Sequence, residues 1–183
     1  RGGGGRVVGE ILVEGRMGVQ MLRDSSGSQA RTRRDTLTEL RLVRGLQRVA
    51  ETVDWLLIDT AAGIQESVRK RLLAAQEVLL VATPEPTSLV DAYAMVKVLH
   101  LREPSKPVWL LVNNGQSAEE CRETIDQLQE ATERFLGKRL QVLGMVPHDP
   151  HILQAVRQQR GVVDLYPGSP AARALEAAVK QLL

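Results

Sequence analysis

Four short apolar runs constrain the fold of this chain more than any other feature: Trp55-Leu-Leu-Ile58, Val78-Leu-Leu-Val81, Val108-Trp-Leu-Leu-Val112 and Leu140-Gln-Val-Leu-Gly-Met145. They do not alternate with polar residues, so each is expected to be a strand covered on both faces, as in a parallel sheet. Val19-Gln-Met-Leu22 is a weaker fifth candidate. Between the runs lie stretches with helical spacing, such as Ala92, Met95, Val96 and Leu99, or Leu37, Leu40, Val43, Leu46 and Val49. Gly45 inside the second of these costs about 1 kcal/mol relative to alanine. Strand and helix alternating over about 25–30 residues per unit is the pattern of right-handed βαβ crossovers. The expected fold is therefore α/β, a three-layer sandwich around a mostly parallel sheet.

Length and composition narrow the class further. A chain of 183 residues with 43% hydrophobic and 25% charged residues has enough apolar surface for one well-buried domain and is not a disordered polymer. The net charge of +2 gives no global reason to expect a polyanion partner. Charge is uneven, however: residues 1–50 hold ten arginines against five acids, and the remainder holds 14 bases against 17 acids. One domain is expected, with a glycine-rich start at 1–10, an irregular basic front at 11–53 and a regular α/β body at 54–183. A single cysteine, Cys121, excludes an internal disulfide framework and suits a reducing cytoplasm. Apolar runs of about five residues, where a membrane helix needs about 20, and the lack of a signal peptide lead to the same expected location.

Helix starts carry recognisable chemistry. Ser117-Ala-Glu-Glu120 reads as a capping box, and Asp149-Pro150 and Ser169-Pro170 each place an N-cap residue before a proline at the first helical position. The last of these opens a C-terminal helix with Leu175, Val179 and Leu182 on one stripe and only Arg173 and Lys180 as bases. The expected role is a helix packed on the core rather than a membrane anchor, which usually carries a richer cationic face.

In open parallel sheets, ligands sit beyond the carboxyl ends of the strands. The first run ends in Asp59, followed by Thr60-Ala-Ala-Gly63. An Asp at a strand tip can hold Mg²⁺ through water, and a glycine lets a backbone amide approach a phosphate. Equally, Asp59 could cap the helix that begins near Gln65. The second run ends in Thr83-Pro-Glu-Pro86-Thr-Ser-Leu-Val-Asp91, a stiff loop in which Thr87 or Ser88 can cap the next helix. The third ends in Asn113-Asn114-Gly115. An Asn amide matches the donor and acceptor on the edge of adenine, while Asn-Gly is also a common turn. The fourth ends in Met145-Val-Pro147-His-Asp149, with His148 a loop histidine and Asp149 a cap.

The order of these segments (I-D-T-A-A-G-I, T-P-E-P-T-S-L-V-D-A-Y, L-V-N-N, G-M-V-P-H-D-P and Y-P-G-S-P-A-A-R-A-L) resembles the MinD/ParA-like P-loop ATPases. Within them it is similar to the FlhG (FleN/YlxH) branch, which regulates flagellar number and placement. The resemblance implies ATP or ADP with Mg²⁺ as cofactors, Asp59 as the aspartate that holds the Mg²⁺ water, and residues 60–64, including Gly63, as the switch sensing the terminal phosphate. It implies Asn113 as the reader of adenine and Pro147 in the loop closing over the base. Protein partners of the flagellar or positioning machinery and a homodimer around ATP belong to the same expectation.

One departure is large. The family's phosphate loop has the pattern K-G-G-x-G-K-[ST], whose amides cradle the phosphates, whose lysines neutralise charge and whose hydroxyl binds Mg²⁺. This chain opens Arg1-Gly-Gly-Gly-Gly5-Arg6-Val7-Val8, so Gly5 and Arg6 occupy the phosphate-facing positions and the hydroxyl position is Val7. Only 53 positions separate Arg6 from Asp59, too few for the βα unit the family places there. Residues 1–6 are either a decayed phosphate loop, a glycine-rich linker or cloning remnant, or the start of a fragment of a longer protein. Impaired ATP hydrolysis is expected, because an arginine fork does not replace a compact ammonium. Two alternatives are a nucleotide-independent interaction module and a ParA-like DNA-associated partitioning protein. The latter would use Arg31, Arg33, Arg34, Arg41, Arg44 and Arg48, arginines that otherwise form a solvated face.

Overall fold

The computed structural model describes residues 12–15, 18–22, 45–46 and 48–183. The chain divides into two compact units, Arg1–Ile58 and Asp59–Leu183.

In the first unit, β1 (Leu12–Glu14) pairs antiparallel with β2 (Gln20–Leu22), Leu12 opposite Leu22. The Gly15 amide donates to the Val19 carbonyl at 2.7 Å, and Gly18 at φ +78 takes the left-handed turn conformation that glycine tolerates. The run at 19–22 is thus half of a hairpin, not a parallel strand. Residues 48–50 are helical, and Thr52 donates its amide and hydroxyl to the Val49 carbonyl. Arg48 is exposed, whereas the other arginines of the basic cluster lie outside the described residues. The expected strand at 55–58 is absent: these residues belong to no strand, and Trp55 and Leu57 are 53% and 79% exposed. Apolarity alone does not make a strand, because the backbone groups need a neighbour to complete a ladder.

The second unit holds the sandwich. After α1 (Glu66–Ala74) come β3 (Val78–Ala82), α2 (Pro86–His100), β4 (Val108–Gly115), α3 (Ala118–Leu136), β5 (Gln141–Pro147), α4 (Pro150–Arg157), α5 (Val162–Leu165) and α6 (Pro170–Leu182). The three strands form a parallel sheet in the order β3-β4-β5, as the apolar runs implied. Pleat alternation sends Val108, Leu110 and Val112 to one face, where they pack with Val96 and Leu99 of α2 and Leu128 of α3. Leu111 points to the other face and packs with Leu143, Val146 and Ala171 and Ala178 of α6. Helices on both faces of β4 make the three layers.

Coverage is uneven. Leu79 and Val81 on the second face of β3 are 45% and 51% exposed, so the run at 78–81 is not covered on both sides among the described residues. The C-terminal helix does pack on the core, but through Ala171, Leu175, Ala178 and Leu182 rather than Val179, which is 51% exposed.

Caps fix the helix ends. Ser117 Oγ accepts from the Glu120 amide at 3.1 Å, and the Glu120 carboxylate accepts from the Gln116 amide at 2.6 Å. Gly137, in the left-handed region at φ +61, closes α3 by donating to the Glu133 carbonyl, with Lys138 donating to Thr132. The C-terminus of α1 is closed from a distance by the buried Lys106. Its ammonium donates to the carbonyls of Leu72, Leu73 and Ala75 at 3.3, 2.7 and 2.6 Å and pairs with Glu103 at 2.9 Å. Lys138 in turn donates to the carbonyls of Pro104 and Lys106, and burial lowers the pKa of its ammonium.

Candidate functional site at the carboxyl ends of the strands

At the tip of β3, Ser88 does not cap α2. Its hydroxyl accepts instead from the Thr83 amide at 2.9 Å, and α2 starts at Glu85 and Pro86 with no side-chain cap. Proline at the first position removes one amide that would need a partner. The Thr83 hydroxyl is buried without a partner among the described residues.

At the tip of β4, Asn114 adopts φ +65, and Gly115 lies opposite Pro147 of β5. The Gly115 carbonyl accepts from the His148 amide at 2.8 Å, and Asn114 Oδ1 lies 2.9 Å from His148 Nδ1. These bonds lock the ends of β4 and β5 together. Asn113 pairs in register with Val146, one step before the Gly115–Pro147 pair, so the residues expected to face the base share one corner of the sheet. Strand alternation puts Asn113 on the Leu111 side, toward the α6 layer. Gly115 has no room for a side chain: a Cβ built there would overlap the Sγ of buried Cys121. Burial first, and the Glu120 charge second, raise the Cys121 thiol pKa against the lowering effect of the Gly115 backbone.

An open cleft of about 290 Å³ lies between the tips of β3 and β4, lined by Thr83, Pro84, Glu85, Pro86, Asn114, Gln116 and Glu120. Its lining includes the two carboxylates of Glu85 and Glu120, which disfavour a phosphate there. None of Asp59, Gly63, Asn113 or Pro147 lines it. The sequence singled out Asn113, but its neighbour Asn114 reaches this cleft; the Asn-Gly turn signal was the visible clue. Glu120 was legible only as a capping residue.

Asp59 opens the second unit as an exposed residue outside regular structure. It does not cap α1, whose N-cap position is Gln65 without a side-chain bond. Gly63 sits at φ +95, a conformation that favours glycine, with open space where a Cβ would lie. Gly5 and Arg6 lie outside the described residues. No group of three or more His, Cys, Asp and Glu among the described residues could hold a metal ion by itself. A single exposed carboxylate nevertheless fits Mg²⁺, which keeps several waters and leans on one or two carboxylates plus substrate phosphates.

The last strand end is built for support. Asp149 is buried and accepts from the Ala171 amide at 3.0 Å, the His151 amide at 3.0 Å and His151 Nδ1 at 2.7 Å. The Ala171 bond is the largest cause of a carboxyl pKa held well below the usual range, against burial, with His151 and Ser169 helping. A lowered folded pKa contributes stability above the unfolded value of about 3.9 and loses it as pH falls through the folded value. Asp149→Asn should therefore lower the urea midpoint at neutral pH, and the gap between the two unfolding curves should narrow progressively as pH falls from the unfolded value towards the lowered folded one. Equal separation at neutral and acidic pH would count against an ionised Asp149.

No helix among the described residues is long and apolar enough to cross a membrane. No protein-family profile matches the chain. The antiactivator FleN of Pseudomonas aeruginosa is 35% identical over 173 residues, covering 94% of this chain and 62% of that protein. The flagellum site-determining protein YlxH of Helicobacter pylori is 26% identical over 153 residues, covering 83% of this chain and 48% of that protein. The chain thus spans about half to three fifths of these relatives' length. The septum site-determining protein MinD of Pyrococcus horikoshii, solved with Mg-ADP, superposes with a TM-score of 0.70 at 19% identity, covering 96% of this chain and 68% of that one. In sequence this chain is similar to FleN and YlxH, and it shares its fold with MinD, so its likeness is to the FleN/FlhG branch of the MinD/ParA-like P-loop ATPases.

Proposed function

We propose that this chain is a MinD/FlhG-like regulatory protein of flagellar number or cell positioning, governed by a bound adenine nucleotide that it hydrolyses poorly. The observation that carries this reading is the 35% identity to FleN along 94% of the chain. The Asn113–Pro147 corner of the sheet supports it. In this reading Asn113 would read the base, Pro147 would lie in the loop beside it, Asp59 would hold Mg²⁺ through water, and Gly63 would leave room for a phosphate at the backbone. The nucleotide supplies the switch; the chain's own residues orient the base and the metal's water. Protein partners of the flagellar or positioning machinery, and a homodimer, read out the bound state.

Poor hydrolysis is the expectation where residues 1–7 stand at the phosphate-loop positions, the first of the three readings of that segment. With Arg1 and Arg6 for two lysines and Val7 for the hydroxyl, about 3–4 kcal/mol of transition-state stabilisation is lost, or roughly 10²–10³ in rate.

A fluorescent ATP analogue titrated with Mg²⁺ tests the reading. Saturable binding is expected, weakened at least about tenfold in Asn113→Ala and lost on chelation in the wild type but not further in Asp59→Ala. No binding up to millimolar analogue would sink it and favour the nucleotide-independent interaction module.

A further inference from the structure

A second groove, of about 210 Å³, runs between α1 and α2 and is lined by Glu66, Arg69, Lys70, Leu73, Val98 and Arg102. Its floor is apolar, from half-buried Leu73 and Val98. Its walls carry three cations against one carboxylate, and that carboxylate is already engaged, with Glu66 paired to Lys70 at 3.1 Å. The guanidiniums of Arg69 and Arg102 have no ion-pair partner among the described residues. The Glu66 carboxyl pKa is lowered by the Lys70 hydrogen bond and charge, and further by the Arg69 charge.

We propose that this groove is a docking site for an acidic, partly apolar peptide segment of a partner protein, with carboxylates on Arg69 and Arg102 and an apolar side chain on Leu73 and Val98. Charge complementarity and the floor choose this occupant. Arginine forks bind carboxylates through two parallel bonds. An apolar floor between them rewards a leucine-like side chain and does nothing for a nucleic-acid backbone, whose affinity comes from phosphates alone. The groove lies between two helices of the second unit and shares no residue with the strand-end cleft, so this inference does not rest on the nucleotide reading.

The test uses the full chain and a short fluorescein-labelled helical peptide with glutamates flanking one leucine stripe, followed by anisotropy at about 50 mM salt. Binding should weaken about tenfold or more in the double variant Arg69→Glu/Arg102→Glu. Arg173→Glu, a charge reversal on an exposed residue of α6, should leave it unchanged. A peptide with the leucines changed to serine should bind more weakly than the parent. Absence of peptide binding, equal loss in Arg173→Glu, indifference to the leucines, or tighter binding of duplex DNA than of peptide would each overturn the proposal. Matching circular-dichroism melts for the variants establish that any loss is not unfolding.

Discussion

Replacing Lys106 by methionine is expected to destabilise the second unit by about 3 kcal/mol. Lys106 is 6% exposed, and its ammonium serves three carbonyls at the end of α1, plus the carboxylate of Glu103. Methionine fills a similar volume but donates nothing, so carbonyls stranded at the helix end lose their partner. A buried acceptor left unpaired costs about 1–3 kcal/mol, and breaking a buried ion pair about 3–5. At this chain length the melting temperature should fall by on the order of 10 °C. Lys106→Arg should not rescue it, because a planar fork cannot converge on three carbonyls as a tetrahedral ammonium does. Glu103→Gln should cost much less, about 1 kcal/mol or under, since that carboxylate is 44% exposed and the carbonyls keep their donor. Equal losses in the two variants would mean the ion pair, not the helix end, is what Lys106 supports.

Gly115→Ala is expected to cost about 2–3 kcal/mol, and Cys121→Ala should recover most of it. The new methyl would enter the space of the Cys121 Sγ, and both groups sit where α3 packs on the tip of β4. Overpacking of this kind costs about 1–3 kcal/mol, and residues in contact show coupling of about 0.5–3 kcal/mol. Alanine at 121 removes the sulfur and leaves its own Cβ 3.6 Å from the new methyl, an ordinary contact. Denaturant unfolding of the two single variants and the double variant checks this. Additive losses would show that the steric conflict lies elsewhere. Since the Gly115 carbonyl also ties down His148, nucleotide affinity should fall in Gly115→Ala and return in the double variant.

Much of this architecture was legible because its signals are local. The runs at 78, 108 and 140 became β3, β4 and β5, and Ser117, Asp149 and Ser169 all cap helices with their side chains. Each of those features is decided within a few residues. Where sequence reading failed, a distant partner decided. The run at 55–58 has the composition of a strand but no ladder neighbour among the described residues. Ser88 looked like a helix cap, yet the Thr83 amide claims its hydroxyl. The three carbonyls held by Lys106 lie 31 to 34 residues away along the chain, beyond any local pattern. At the strand ends, sequence order named the tips of β4 and β5 but not which asparagine turns into the cleft. That choice depends on the positive φ of Asn114 and on a register shift between Asn113 and Gly115.

Asp149 follows directly on the two residues, Pro147 and His148, that close the corner with β4, and its carboxylate is shared by the first amides of α4 and α6. That single group works as a pin through three elements of the fold. The loop after β5 and the last helix are joined by one carboxylate that accepts directly from a backbone amide of each helix. One carboxylate thereby sets the spacing between the end of the sheet and the start of the terminal helix, more than twenty residues downstream.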